Sequence, residues 1–354
     1  MHPYEKLPPT AYWKTAGGAG LSGAALLWEP KFNIGPGDRI ITFGSCFAQH
    51  IGRQLVARGY AWLETEPPPP GLREARRYGY SVFSCRTGNI YTAAMLRQWT
   101  RWALAGEAPP AEVWQQDGRF FDPFRPVVEP GGFDSPEDVL HLRAVTVRAF
   151  ETAIRSADVL IFTLGLTESW WNRRLGYEYQ LCPGTVVGRF DPDEHEGRIA
   201  DVGQVVAHLD AAIDLMRQAN ERLRVVLTVS PVPLAATMSG SHVVLATMEA
   251  KSILRAAAGQ LRRTRDHVDY FPAYDIVASP LADGIFFEPD RRQVSREGVA
   301  FVMEQFHAGL EAAFGPVDRP RDDTGPAAIG ADVRGAEDDV VCEEELLSAF
   351  AGRP

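Results

Sequence analysis

Cysteine is scarce in this chain: four in 354 residues, at Cys46, Cys85, Cys182 and Cys342. None is spaced as C-x-x-C, so zinc-ribbon and dithiol-redox readings have no support. Four in so long a chain do not make a disulfide framework, and a reduced, cytoplasmic setting is the plain expectation. Long apolar runs are missing too. No stretch reaches the roughly 18–20 residues that span a bilayer. The first thirty residues lack a basic start followed by an apolar core, so neither a membrane nor a secretory signal is expected. There is no basic excess: 36 Lys+Arg face 46 Asp+Glu. That balance argues against a nucleic-acid partner, and the arginines at 73–77 and 262–265 read as solvated surface. No close His/Asp/Glu triplet recurs, and DPDEH at 191–195 reads as a solvated loop. No metal and no cofactor are therefore expected.

What is present is a globular composition, 45% hydrophobic and 23% charged. The net charge of −10 is unevenly placed. Residues 316–354 hold ten acids and four basic residues, which leaves the body at −4. The segment 316–337 is rich in Pro, Gly, Ala and Asp and offers little to bury, so 316–354 reads as an acidic, disordered tail. Leu346, Leu347 and Phe350 near its end form a short amphipathic turn and a candidate contact for a protein partner.

Residues 1–315 read as one domain, with an N-terminal arm (1–38) packed on it. Apolar runs alternate with amphipathic stretches. The runs Arg39–Gly44, Asp158–Gly165, Arg224–Ser230 and Val268–Phe271 have the pattern of buried strands. Helical spacing follows at Phe47–Arg58, after Ser135-Pro136, from Val202 to Met216, from His242 to Leu261 and over Ser295–Phe314. Strand-then-helix order predicts an α/β fold with a parallel sheet between two helical layers, and sites beyond the carboxyl ends of the strands. The stretches 90–135 and 170–200 read as insertions covering one edge.

Chemistry-bearing residues gather at those strand ends. The Gly44-Ser45-Cys46 turn leads into a helix, whose amino end offers free N–H groups and a positive dipole end. Either Ser45 or Cys46 there is a candidate nucleophile, and a thiol in that place is more readily ionised. The common alternative is a plain strand-to-helix turn with a core cysteine. His242 follows a strand end, and His50 lies one helical turn after Cys46, so each is a candidate base or a structural histidine. Glu168, Asp290 and Arg292 can orient a base, bind an anion or hold loops together. Ser230 serves the site or caps its turn. Trp170, Trp171, Tyr177 and Tyr179 line a sugar or acyl cleft or pack as core.

Several segments, in order, carry a resemblance: GSCFA (44–48), FSCRTGNIYT (83–92), DGRFFDPFRP (117–126), FTLGLTESW (162–170), CPGT (182–185), LTVSPVPLAAT (227–237), HVVLAT (242–247) and VDYFPAYDIV (268–277). They resemble the GSCFA family, a group within the SGNH hydrolase superfamily. The resemblance implies a three-layer α/β/α, flavodoxin-like sheet and an esterase or acyltransferase acting on an O-acyl substrate, either a glycan or a small metabolite. It sets Cys46 at the nucleophile position, with Ser45 one residue away. It implies Gly44, Gly88, Asn89 and Thr167 as the oxyanion and substrate contacts, Thr167 standing where the superfamily has Asn. Asp290 matches the acid of the late Asp-x-x-His element, but Gln293 stands where His is expected. Gln cannot accept a proton. The base must then come from elsewhere, His242 first and His50 second, or the chain is a non-catalytic binding protein that kept the fold.

Overall fold

Four short runs, each wholly or almost wholly buried, form the centre of the molecule. The computed structural model describes residues 2–18, 20–21, 27–316 and 342–351. In chain order the elements are α1 (Trp13–Gly18), β1 (Ile40–Gly44), α2 (Cys46–Ala57), α3 (Ala93–Leu104), β2 (Trp114–Gln116), β3 (Arg119–Phe121) and α4 (Pro136–Ser156). There follow β4 (Val159–Leu164), β5 (Glu168–Asn172), β6 (Glu178–Tyr179), β7 (His195–Ile199) and α5 (Val202–Ala219). The body closes with β8 (Arg224–Val229), α6 (Val243–Thr264), β9 (Val268–Phe271), α7 (Ala273–Val277) and α8 (Arg296–Phe314).

The central sheet is parallel, in the order β1-β4-β8-β9. Its register sets Phe43, Phe162, Leu227 and Tyr270 in one row across all four strands. Because side chains alternate faces along a strand, that row packs with apolar residues of α3, α4, α5 and α6. The opposite face, carrying Ile161 and Val226, packs on α2, α7 and α8. Trp28 and Ile34 of the N-terminal arm join this second layer, and Trp28 stacks on Phe306 with ring centroids 5.0 Å apart. Strands buried on both faces need continuous apolar runs, which is why they are so plain in the sequence.

Two stretches differ from the expectation of simple edge cover. The segment 90–135 contributes α3, which belongs to a helical layer and packs on α4 and α5. The segment 170–200 joins Glu168 in an antiparallel sheet of its own, ordered β6-β5-β7. Beneath the β2–β3 hairpin lies an ionic cluster that charge patterning did not foretell. Asp122 accepts from Arg125 Nε at 2.8 Å and from Arg143 Nη2 at 2.9 Å, and all three side chains are buried.

Among the described residues, no neighbouring strand runs along the outer edge of β1. Its backbone groups are met one after another by three separate segments. Ile40 pairs with Ala61 and Leu63, giving a single parallel bridge to Trp62. Thr42 pairs with Ser84, through the serine's Oγ at 3.1 Å and its N–H at 3.4 Å. Gly44 O accepts from Ile90 N–H at 2.8 Å.

Helix starts follow their capping residues. Ser135 accepts from Asp138 N–H at 3.1 Å, with Pro136 as the first helical residue of α4. Ser135→Ala is expected to cost about 1 kcal/mol in urea unfolding; an unchanged midpoint would show that this cap is idle. Among the described residues, no helix is long and apolar enough to cross a membrane.

Candidate active site

The turn between β1 and α2 admits little variation. Gly44 has φ 137°, and a Cβ built on it would lie 2.4 Å from Thr163 O of β4. Only glycine permits that approach. Ser45 N–H then donates to Thr163 O at 3.0 Å, and Ser45 stands as the N-cap of α2 without a side-chain capping bond. Its Oγ is buried and has no hydrogen-bond partner among the described residues. Cys46 follows as the first residue of α2, one position earlier than the apolar spacing indicated.

A second wall comes from the loop before α3. Gly88 has φ 66°, and a Cβ there would meet Gln180 Nε2 at 2.5 Å. Asn89 is buried and held on three sides. Its Oδ1 accepts from Gln49 Nε2 of α2 at 3.2 Å, and its backbone oxygen accepts from Gln180 Nε2 at 2.9 Å. Its Nδ2 is thereby turned to donate inward. Thr167 is buried, and its backbone oxygen accepts from Ala200 N–H at 2.9 Å. Ser230 Oγ accepts from Val232 N–H at 3.3 Å and so caps its own turn.

The residues expected to form a proton relay have other partners. His242 is exposed and acts as N-cap of α6, its Nδ1 accepting from Val244 N–H at 3.2 Å. No hydrogen bond joins it to Ser45 or Cys46 among the described residues. His50 packs its ring on Phe47, and burial, with help from Arg53 and Arg76, lowers it to about 4. Asp290 is exposed and accepts from the N–H groups of Arg292 and Gln293 at 2.9 and 3.0 Å. It shapes its own loop, and no hydrogen bond joins it to a histidine among the described residues. Glu168 accepts from Thr237 Oγ1 and, at 3.0 Å, from Met238 N–H. It pins the loop after β8.

Lys251 of α6 went unnoticed in the sequence. It is 1% exposed, and its Nζ donates to Gly165 O at 2.8 Å. Gly165 itself lies against the Gly44–Cys46 turn, since a Cβ built on it would meet Ser45 Cβ at 2.8 Å. Burial pushes the Lys251 ammonium down to about 8, and Cys46, Glu344 and Arg292 lie within its electrostatic reach. A signal was available. Lys251 sits between Ala250 and Leu254 on the buried stripe of an amphipathic helix, where a charge needs a reason.

The C-terminal segment completes the site. Residues 317–341 and 352–354 of the acidic tail lie outside the described residues. The part that is described, Cys342–Ala351, is not loose as its composition indicated. It forms 3-10 turns over Glu343–Phe350 and lies against the strand ends. Cys342 lies beside Cys46, and its Sγ accepts from Arg292 Nη2 at 3.8 Å. The contact with Cys342 and burial push the Cys46 thiol up, while the contact with Cys46 and the charge of Arg292 pull Cys342 down. Glu343 Oε2 accepts from Asn89 Nδ2 and from Tyr91 OH, the latter at 2.6 Å. Glu344 accepts from Ala235 N–H at 2.7 Å and pairs with Arg292 at 3.3 Å. Glu345 pairs with Arg292 at 3.0 Å and accepts from Gln293 Nε2 at 3.1 Å. Leu346 and Phe350 remain exposed on the outer side.

A cavity of about 600 Å³ adjoins the site beyond Thr92, Leu166 and Thr167. Trp171 and Tyr177 line it, together with Arg97 and Arg198. Trp170 instead packs on Phe190, and Tyr179 is core. The DPDEH turn is partly internal: His195 is buried and its Nδ1 accepts from Asp191 N–H at 3.0 Å.

The arrangement gathers a thiol, a buried amine and fixed amide donors at the carboxyl ends of β1 and β4. The turn that opens it carries the letters GSCFA, and the family model of that name matches residues 39–306, well over half of the chain. No curated protein matches the chain. The chain belongs to the GSCFA family.

Proposed function

We propose that this protein is an SGNH-like acyl-transfer enzyme, an esterase or acyltransferase, that takes the acyl group of an O-acyl substrate onto Cys46. The observation that carries this reading is Lys251, a buried amine pushed down to about 8 and anchored on the glycine that packs against the nucleophile turn. It occupies the role left open by Gln293, and a depressed lysine is an effective base.

The fold supports the superfamily assignment. With the single bridge at Trp62 counted as a rudimentary strand outside β1, the sheet runs in the flavodoxin-like order 2-1-3-4-5. The strand order reverses at β1, and the Gly44–Cys46 turn lies at that point. In the reaction, neutral Lys251 takes the Cys46 proton and the thiolate attacks the ester carbonyl carbon. The carbonyl π electrons move to oxygen, where the N–H groups of the first turn of α2 stabilise them. The carbon–oxygen bond then breaks, and the leaving alkoxide takes the proton back from Lys251. Neutral Lys251 then takes the proton of water or an acceptor hydroxyl as its oxygen attacks the thioester carbon; the carbon–sulfur bond breaks and the departing Cys46 thiolate takes that proton from Lys251. The cavity beside Trp171 holds the acyl or sugar portion. Four free cysteines suit a reducing, cytoplasmic setting.

The test is mass spectrometry after brief exposure to activated acyl esters, followed across pH. An acyl adduct is expected on Cys46. Because the base works when deprotonated, the acylation rate should rise with pH and level off above about 8. Lys251→Gln should lower the plateau roughly 10²-fold and remove that inflection. An adduct on Ser45 would move the nucleophile by one residue. A second reading, a binding protein without turnover, is favoured by Gln293 and by the solvent-facing His242. No adduct at any pH would select it.

A further inference from the structure

An acidic tail has no general electrostatic reason to settle on a body that is itself mildly acidic. Nevertheless each of four consecutive residues, Cys342 to Glu345, meets a specific partner at the strand ends. Glu343 and Glu344 are 2% and 7% exposed. Burying carboxylates is costly unless donors are in place. Here the donors belong to the body and are held there by the body. Gln49 and Gln180 lock Asn89, and Asn89 Nδ2, Tyr91 OH and Gln180 Nε2 converge on one carboxylate. A carboxylate is acceptor-only and takes several such neutral donors well. A second anion position is formed by Arg292 and Ala235 N–H. Both positions lie near Cys46, which is buried beside Cys342.

Resting on the function proposed above, we infer that the cleft over Cys46 is built to receive a carboxylate-bearing substrate, and that Cys342–Glu345 is its internal occupant, which such a substrate must displace. Glu343 stands in for the substrate carboxylate in the Asn89–Tyr91–Gln180 position, and Glu344 marks the second anion position at Arg292. Because the occupant is part of the same chain, it competes at a high effective concentration. Substrates with two suitably spaced carboxylates are therefore favoured over neutral esters.

The experiment reads access to the thiol, not turnover. Full-length protein is treated with iodoacetamide, and alkylation of Cys46 is followed by peptide mass spectrometry, which separates it from Cys342. Glu343→Ala/Glu344→Ala should alkylate at Cys46 about tenfold faster or more than the unaltered chain. Millimolar glutarate, or a synthetic peptide of residues 342–351 with serine for its cysteine, should slow it again, whereas glutaramide should not. Glu343→Gln keeps the shape and removes the charge; it should shift the rate in the same direction if the double variant folds poorly. Equal alkylation in all forms, or protection by glutaramide as good as by glutarate, would overturn the inference. A variant that opens Cys46 yet forms no thioester from esters leaves this occupancy standing and removes the acyl-transfer reading instead.

Discussion

Cys46→Ala is expected to lower kcat/KM on acyl esters at least ~10³-fold, equivalent to ~4 kcal/mol of transition-state stabilisation. The loss should appear in kcat with little change in KM, because the thiol forms its bond only as the reaction proceeds. Ser45→Ala is the informative companion. Ser45 makes no capping bond and its Oγ has no partner among the described residues, so its removal should leave folding nearly unchanged. A tenfold or smaller effect there, by the same accounting, fits a residue that only shapes the turn. The reverse pattern, with Ser45→Ala dead and Cys46→Ala active, would transfer the nucleophile to Ser45. Lys251 would retain its place, since it is anchored on the glycine that touches Ser45.

Asp122→Ala is expected to destabilise the protein by about 3–5 kcal/mol in urea unfolding, because it leaves buried arginines without their counter-charge. Arg125 and Arg143 are 0% and 2% exposed and share this one carboxylate. Burial works to raise the Asp122 carboxyl, but the charges of Arg143 and Arg125 outweigh it and hold the group below its ordinary range. With a folded-state value below the unfolded one, its contribution is present above the ordinary carboxylate range of ~4 and is lost as pH falls through the folded value. Stability at neutral pH should therefore fall sharply in the variant. The gap between variant and parent should narrow in acid. A variant as stable as the parent at neutral pH would mean that solvent reaches the arginines.

The central strands were legible because burial on both faces forces unbroken apolar runs. Val268–Phe271 was placed to the residue, and β1, β4 and β8 to within one residue at either end. The Gly44–Cys46 turn was legible for a related reason, since a strand of that kind must stop in something small before a helix. The relay was not. His242 was placed by its position after a strand end, but position in the chain does not say whether a ring faces the cleft or caps a helix. It caps α6. Lys251 was hidden because helical spacing is read from the apolar positions, and one lysine among them looks like an interruption. The docked tail was least accessible of all. A composition average over 316–354 records acidity and small residues, whereas docking depends on the identity of four side chains and on donors far away at residues 89, 91, 235 and 292.

The stitched outer edge of β1 has a consequence for how the protein behaves in a crowded solution. An unprotected edge strand is a template for pairing with another copy and is a common start of aggregation. Here Ala61 to Leu63, Ser84 and Ile90 consume the outward-facing groups of β1 at Ile40, Thr42 and Gly44. No uninterrupted row is left for a foreign strand to join. The closure draws on pieces spread over some fifty residues of chain. A chain in which the segment around Ser84 and Ile90 is displaced exposes that edge to self-association. Substitutions in that loop should show themselves as poor recovery of soluble protein.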